Sequence, residues 1–388
     1  MTETAPRQLS AHKQTSESGR ISTFDNTATA NEAKLTSLLR NVSPVPTALQ
    51  QAARSRLDKL TKPKGSLGKL EDMAVRICCI QGKEHGISTD PLRVYAIAGD
   101  HGVNEEGVSV FPQDVTRQMV INFCEGGAGI NILANTAGAE LCVVDLASKG
   151  GNYPDHPSLI QCKIAQGTEN ITKAPAMSRE QCIRAILIGA ALADKAYAEG
   201  CPAIGTGEMG VSNTTPSTAL YCAFFGLKPD EITGAGGGLD PEGIVRKASV
   251  VQRALTQHIC TINQGDPIDI LAAIGGYEIA ALAGLILGGA ANNQLVLLDG
   301  FISTAAYAAA WKLCPHVHDY AFFSHASAEA GHKKILASLN INPLHDLGLR
   351  LGEGSGVPLA LFLLRCACNT YNNMATYEDA SVEPPDNL

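Results

Sequence analysis

At 388 residues the chain is long enough for two or three domains of about 150 residues each, or for one large α/β unit. Hydrophobic residues at 45%, charged residues at 18% and 38 glycines against 19 prolines are the balance of a folded globular protein; aromatics at 5% leave the packing to small aliphatic side chains. Thirty basic against 38 acidic residues give a formal charge of −8, which excludes a general electrostatic footprint for nucleic acid or an anionic bilayer and leaves only local cationic pockets.

Residues 1–33 are rich in Ser, Thr, Ala and Asn, with no apolar periodicity, and read as a disordered tail. Glu3, Glu17 and Asp25 in it argue against an organellar transit peptide, and no charged segment followed by an apolar one marks a signal peptide. From Ala33 to about Gly82 the apolar spacing turns helical, broken by a loop at Lys62-Pro63-Lys64-Gly65-Ser66-Leu67-Gly68. Beyond residue 90 short β-type runs alternate with helical ones: Val94–Ala98 then Pro112–Cys124, Leu141–Leu146 then Ser178–Glu199, Ala203–Thr206 then Thr215–Phe225. Asp240–Cys260 and Tyr277–Ala291 continue as helices, Gln294–Leu298 as a strand and Ser303–Leu313 as a helix, so the chain predicts βα units around a mostly parallel sheet. Ser178 with Gln181 forms a capping-box pattern, and Asp240-Pro241 sets an N-cap residue before a first-turn proline. The longest apolar stretch, Ile279 to Ala291, has 13 residues, short of the roughly 20 that span a bilayer, and reads as a buried helix. Twelve cysteines with no C-x-x-C pair point to a reduced, cytoplasmic chain.

In such sheets ligands bind outside the carboxyl ends of the strands, which directs attention to Gly99-Asp100-His101-Gly102, Gly205 to Pro216, Gly234 to Asp240, Asp299-Gly300 and Ser324 to Glu329. Gly234-Ala235-Gly236-Gly237-Gly238-Leu239-Asp240 fails as a dinucleotide loop, because G-x-G-x-x-G needs Gly where Leu239 stands; no P-loop pattern occurs either. The loop suits a phosphate at a helix start or a plain turn equally. Gly352-Glu353-Gly354-Ser355-Gly356 fails as a hydrolase elbow, since Glu353 occupies the position two before Ser355. It offers instead one carboxylate among glycines before an apolar run, a pattern fitting either a general base or an exposed loop residue. Gly207-Glu208-Met209-Gly210 with Asn213-Thr214-Thr215-Pro216 adds a second carboxylate after a strand and donors that cap a helix, bind a phosphate, or do both. His325, Glu329 and His332 have the spacing of one helical face, yet no H-E-x-x-H or facial-triad pattern accompanies them, so ordinary hydrogen-bonded histidines are the better reading.

Taken in order, these segments resemble the nicotinate-nucleotide:dimethylbenzimidazole phosphoribosyltransferase family. The resemblance rests on Lys62 to Gly68, Ala98-Gly99-Asp100-His101-Gly102-Val103 with Glu106-Gly107-Val108, Gly207 to Gly210, Asn213 to Pro216, Leu297-Leu298-Asp299-Gly300-Phe301, Ser324-His325-x-Ser327-Ala328-Glu329 and Leu351 to Gly356, from about residue 35 to 375. It implies transfer of phosphoribose from nicotinate mononucleotide to a benzimidazole, with small-molecule substrates, no cofactor and no metal, in a homodimer. It also implies a Rossmann-like parallel sheet with a smaller helical domain drawn from both chain ends: a helical segment at 34–90, an α/β body at 91–345, a C-terminal helical segment at 346–376 carrying the catalytic Glu, and a flexible end at 377–388. By the same resemblance Glu353 is the base and Glu208 lies near the ribose, stabilising the oxocarbenium-like centre or sharing base duty. Gly207, Asn213, Thr214, Thr215, Gly236, Gly237, Gly238, Lys247 and Ser327 hold the nucleotide and its phosphate. Val108, Phe111, Met119, Met209 and Leu351 wall the aromatic base. The competing readings are a nucleotide-binding module without catalysis, which the presence of both carboxylates disfavours, and an NAD-dependent oxidoreductase, which the broken glycine register disfavours.

Overall fold

The computed structural model describes residues 27–384. Three helices open it: α1 (Ala28–Asn41), α2 (Gln50–Asp58) and α3 (Lys69–Gln81). The body runs β1 (Leu92–Gly99), α4 (Asp114–Glu125), α5 (Gly129–Ala137), β2 (Glu140–Ala147), β3 (Leu159–Gln161), α6 (Arg179–Ala198), β4 (Ala203–Met209), α7 (Thr214–Phe225), α8 (Pro229–Ile232), α9 (Pro241–Gln257), α10 (Ile259–Gln264), α11 (Pro267–Ile274), α12 (Tyr277–Ala291), β5 (Leu295–Leu298), α13 (Phe301–Leu313) and β6 (Ala321–Phe323), before α14 (His332–Ser338) and α15 (Val357–Asn373). Every strand pairing is parallel, and the order is β3-β2-β1-β4-β5-β6. That is the order of doubly wound Rossmann sheets, with the reversal between β1 and β4 opening a crevice at their carboxyl ends. Ile97 of β1 pairs with Glu208 of β4, so the second candidate carboxylate emerges beside the central strand at that reversal.

Residues Leu92–Gly99 of β1 are buried throughout, as a central parallel strand covered on both faces requires. The covering layer explains how so few aromatics suffice. Helices α6 and α12 cross almost in backbone contact: a β-carbon on Gly189 would lie 1.8 Å from the Ala281 carbonyl oxygen, and one on Gly284 1.8 Å from that of Ile186. The 13-residue apolar stretch is thus the inner helix that the sequence predicts, and no described helix is long and apolar enough to cross a membrane. All twelve cysteines are free thiols, most of them buried. The capping expectations hold in detail: Ser178 Oγ accepts from Gln181 N at 3.1 Å, and Asp240 Oδ1 from Gly243 N at 2.7 Å.

Helices α2 and α3 pack with α15 from the other end of the chain. Leu60 bridges Thr376, Thr61 N donates to Ala375 O at 3.0 Å, and Arg56 Nε donates to Tyr371 O at 2.9 Å. Within this unit the Lys62–Gly68 loop is closed by a buried Lys62–Glu71 ion pair at 2.8 Å, whose carboxylate also accepts from Leu67 N.

Four local expectations change. Residues 28–33, predicted as tail, form the first turns of α1, where Asn31 and Leu35 are buried and Glu32 pairs with Arg179 at 2.9 Å; the rest of that prediction, 1–26, lies outside the described residues. That helix lies against α6 and α12 of the body, although its sequence neighbours belong with α15. Tyr377, predicted as the start of a flexible end, is held in place, its N donating to Lys59 O at 3.0 Å and its hydroxyl to Lys62 O at 3.1 Å; residues 385–388 lie outside the described residues. The helix predicted over Asp240–Cys260 breaks at His258, whose ring nitrogen bonds the Ile171 carbonyl at 2.9 Å.

Candidate active site

The crevice carries a cavity of about 340 Å³, within the roughly 300–1,000 Å³ usual for small-molecule sites. Loops after β4, β5 and β6 converge there with the segment before α15. Of the segment after β1, Val108, Ser109 and Phe111 line it, but Gly99-Asp100-His101-Gly102 does not: His101 turns inward to a buried 2.8 Å contact with Glu278, and Asp100 accepts from Lys149 N at 2.7 Å. These two side chains tie the carboxyl end of β1 to α12 and to the segment after β2, behind the site.

Glu353 occupies the left-handed region at φ 64, between Gly352 at φ 80 and Gly354 at φ 96. A residue bearing a β-carbon is disfavoured there, and such strain persists only where surrounding contacts over-determine the chain. The contacts are present. Glu353 N reaches Glu208 Oε1 at 3.4 Å, Gly354 N and Gly356 N donate to Asp299 at 3.1 and 2.7 Å, and Gly207 lies directly under the turn. The Glu353 carboxylate is buried and accepts from Ile130 N, at the start of α5, at 3.1 Å. Burial raises its pKa above the ordinary value, and the Ile130 N–H, which favours the ionised form, opposes the rise.

Glu208 is fully desolvated, and its pKa is pushed up to about 8 by burial first, then by the charges of Asp299 and Glu278; the Asn213 amide and the Glu353 N–H pull the other way. Asp299, equally buried, is pushed up to about 7, with the N–H groups of Gly356, Gly354 and Gly300 opposing its desolvation. Asn213 therefore spends its side chain on Glu208 and makes no side-chain cap for α7. Thr214 points the other way, its hydroxyl accepting from Lys247 Nζ at 2.7 Å.

The glycine loop meets the same pocket. Lys247 is wholly buried, held also by the Gly234 carbonyl at 3.2 Å, and its pKa falls to about 8 by desolvation, offset in part by Glu329. Glu329 takes the Gly236 N–H on both oxygens, at 3.0 and 3.2 Å. Ser327 N donates to His332 Nδ1 at 2.8 Å, which makes that nitrogen an acceptor and leaves Nε2, 3.0 Å from Thr304 Oγ1, to carry the proton. Burial lowers the pKa of His332 to about 3, so the neutral tautomer that holds Ser327 persists across the working range.

Of the predicted residues, Glu353, Glu208, Asn213, Thr214, Gly236, Gly237, Ser327, Val108, Phe111, Met119, Met209 and Leu351 line the cavity. Four do not. Gly207 lies beneath the Glu353 turn, Thr215 is buried inside α7, Gly238 faces solvent at φ 125, and Lys247 stands behind Thr214. The shared helical face for His325, Glu329 and His332 is also absent, because the chain stays in a loop until α14 begins at His332. His325, stacked on His345 with centroids 5.6 Å apart, lines the cavity; desolvation, with His345 beside it, lowers its pKa to about 4.

Three contributors carry weaker signals. Asp299 stands in an Asp-Gly pair after a strand, which marks its place and not its task. Arg350 at the rim, 3.4 Å from the Gly236 carbonyl, looks like any exposed loop arginine. Ile130 acts through its main chain, which no side-chain pattern announces.

A phosphoribosyltransferase family model matches residues 42–382. Among curated relatives, a nicotinate-nucleotide–dimethylbenzimidazole phosphoribosyltransferase of Oleidesulfovibrio alaskensis is 58% identical over 345 residues, covering 89% of this chain and 96% of that one. Its counterpart in Nitratidesulfovibrio vulgaris is 54% identical over 353 residues, with 91% and 99% covered. A solved structure of a nicotinate-nucleotide–dimethylbenzimidazole phosphoribosyltransferase from Thermus thermophilus superposes with a TM-score of 0.81 at 41% identity, over 87% of this chain and 99% of that one.

Proposed function

The chain belongs to the nicotinate-nucleotide–dimethylbenzimidazole phosphoribosyltransferase family, and on that premise we propose that it transfers phosphoribose from nicotinate mononucleotide to 5,6-dimethylbenzimidazole or a related base. The products are nicotinate and α-ribazole 5′-phosphate, for the lower nucleotide of cobalamin. The observation that carries this reading is Glu353: a buried carboxylate on a strained turn, oriented by the Ile130 N–H, at the wall of a cavity with an apolar side.

The donor's glycosidic nitrogen is a pyridinium, so the bond to the anomeric carbon breaks with its electron pair returning to the ring, and nicotinate leaves without needing a proton. One nitrogen of the acceptor forms the new bond from the opposite face. Glu353 takes the N–H proton of the other nitrogen, which balances the charge. A positioned base of this kind contributes about 10²–10⁴ in rate, and a pKa raised by burial makes the carboxylate a stronger base than a free one. Glu208 is assigned to the ribose side, where its ionised form, the minority below about pH 8, stabilises the positive charge that develops at the anomeric carbon.

Val108, Phe111, Met119, Met209 and Leu351 take the aromatic base, with 47% of Phe111 and 56% of Leu351 still exposed to pack on it. With the Gly236 N–H already taken by Glu329, the donors for the 5′-phosphate are Gly237, the hydroxyls of Ser327 and Thr214, and the Lys247 ammonium behind them. We extend the proposal to a cytoplasmic homodimer, supported by exposed Ile132 and Phe362 on the adjoining helices α5 and α15, and to the domain division of an α/β body with a helical unit from α2, α3 and α15. Incubating the purified protein with nicotinate mononucleotide and 5,6-dimethylbenzimidazole tests the activity: α-ribazole 5′-phosphate is expected by chromatography and mass, and a folded protein giving none overturns it. Replacing the acceptor with benzimidazole or adenine ranks the base preference.

A further inference from the structure

Asp299 follows β5 with 1% of its surface exposed, and both its carboxylate oxygens are used on the Glu353 turn: Oδ1 by Gly356 N and Oδ2 by Gly354 N. Its own backbone is fixed to the sheet. Thr206 Oγ1 on the neighbouring strand β4 accepts from Asp299 N at 3.0 Å, and Ser324 Oγ, after β6, lies 3.1 Å from the Asp299 carbonyl. Backbone and carboxylate together therefore link three neighbouring strands to a turn held in a conformation unfavourable for glutamate. It also meets the first N–H groups at the entry to α15, where a negative charge is favoured by the helix dipole.

We propose that Asp299 is a positioning residue for the transfer reaction, clamping the strained turn so that the Glu353 carboxylate faces the acceptor's ring N–H. The proposal rests on the reading of Glu353 as the base. Asp299 has no cationic partner for which its charge is otherwise needed: His325 Nδ1, 3.6 Å away, belongs to a ring kept neutral by burial, and Glu208 and Glu353 are carboxylates themselves. Each of its carboxylate oxygens accepts an N–H of the turn, and the Gly300 N–H adds to them.

The test is a double-mutant cycle on the full chain, with kcat and KM for nicotinate mononucleotide read beside the melting temperature. Asp299→Asn keeps the shape, but its amide group opposes one of the two N–H donors. It is expected to lower kcat about 10²-fold with KM changed less than about threefold, and to cost less than about threefold in a Glu353→Gln background, because displacing an absent base has no further effect. An unchanged kcat overturns the proposal. So does an equal loss in both backgrounds with KM raised about tenfold, which would make Asp299 a direct donor-binding group. Full activity in Glu353→Gln alone would overturn the base reading itself, a separate outcome. If Asp299→Asn does not fold, Thr206→Val, which releases the Asp299 N–H at constant volume, is expected to give the same masking at a smaller loss, about three- to tenfold; no loss there overturns the clamp.

Discussion

Gly207→Ala perturbs the site through one methyl group. Gly207 has no positive φ, so alanine meets no backbone penalty there; the objection is steric. A β-carbon would stand 2.4 Å from the Glu353 carbonyl oxygen, 3.0 Å from its carbon and 3.2 Å from Gly354 Cα. Ordinary contact begins near 3.4 Å, so the turn must retreat by about 1 Å, and it cannot pivot freely because Asp299 holds Gly354 N and Gly356 N. A misplacement of about 1 Å at a reacting group costs about 10²-fold in rate, equivalent to roughly 2.7 kcal/mol of barrier. Steady-state release of nicotinate should therefore show kcat down about 10²-fold, with KM for nicotinate mononucleotide little changed and the melting transition still cooperative. A folded Gly207→Ala with kcat within about threefold of the parent would refute the claim that this close approach sets the base's position.

Glu353→Gln should lower kcat by about 10²–10⁴ while leaving the far-ultraviolet spectrum intact, and the parent's acid limb should lie above the ordinary glutamate range because burial raises the pKa; an acid limb at 4.5 or below would contradict that environment. Lys247→Met should raise KM for nicotinate mononucleotide more than it lowers kcat, and donor binding by the parent should weaken as the pH passes about 8, where the buried ammonium loses its charge; a pH-independent KM through that range would remove Lys247 from phosphate binding. Glu208→Gln bears on stability. With its pKa raised from 4.5 to about 8 in the folded chain, Glu208 keeps a proton that the unfolded chain has released, so stability declines as pH rises through that window, by on the order of a few kcal/mol. Urea unfolding at pH 5 and pH 8 should show a smaller decline in Glu208→Gln than in the parent, and an equal decline would mean that the carboxyl is not desolvated as described.

The parts of this molecule legible in its sequence are those where local pattern and tertiary role coincide. Helix α12 runs over the predicted Tyr277–Ala291 because, beyond Glu278, its residues are apolar all round and neighbouring helices cover them. Strands β3 and β6 have three residues each, too few for a period to register, and they exist because a longer strand beside each supplies the pairing. The i, i+4, i+7 spacing of His325, Glu329 and His332 mimics a helix, but His325 instead bridges His345 and continues the edge of the sheet. Lys247 sits on an amphipathic helix where a solvated lysine would be ordinary, and only the fold shows that its ammonium is buried and oriented by Thr214 and Gly234.

The candidate base shows why a site is harder to read than its chemistry. Glycines around Glu353 mark it as unusual, and a carboxylate suits a proton transfer, so the residue is visible in isolation. Its function depends on a position that four residues on three distant segments impose: the Glu208 carboxylate on Glu353 N, the Asp299 carboxylate on Gly354 N and Gly356 N, the missing side chain of Gly207 below, and the Ile130 N–H on the acid itself. Two of those four act without a side chain, by a main-chain N–H and by an absent methyl. The other two are carboxylates whose burial is unfavourable by itself and is tolerated because N–H groups satisfy them, those of the turn for Asp299 and chiefly the Asn213 amide for Glu208. The strain at Glu353 and the desolvation at Asp299 are thus coupled: the turn adopts a left-handed residue because the Asp299 carboxylate holds it, and that carboxylate stays buried because the turn supplies its donors.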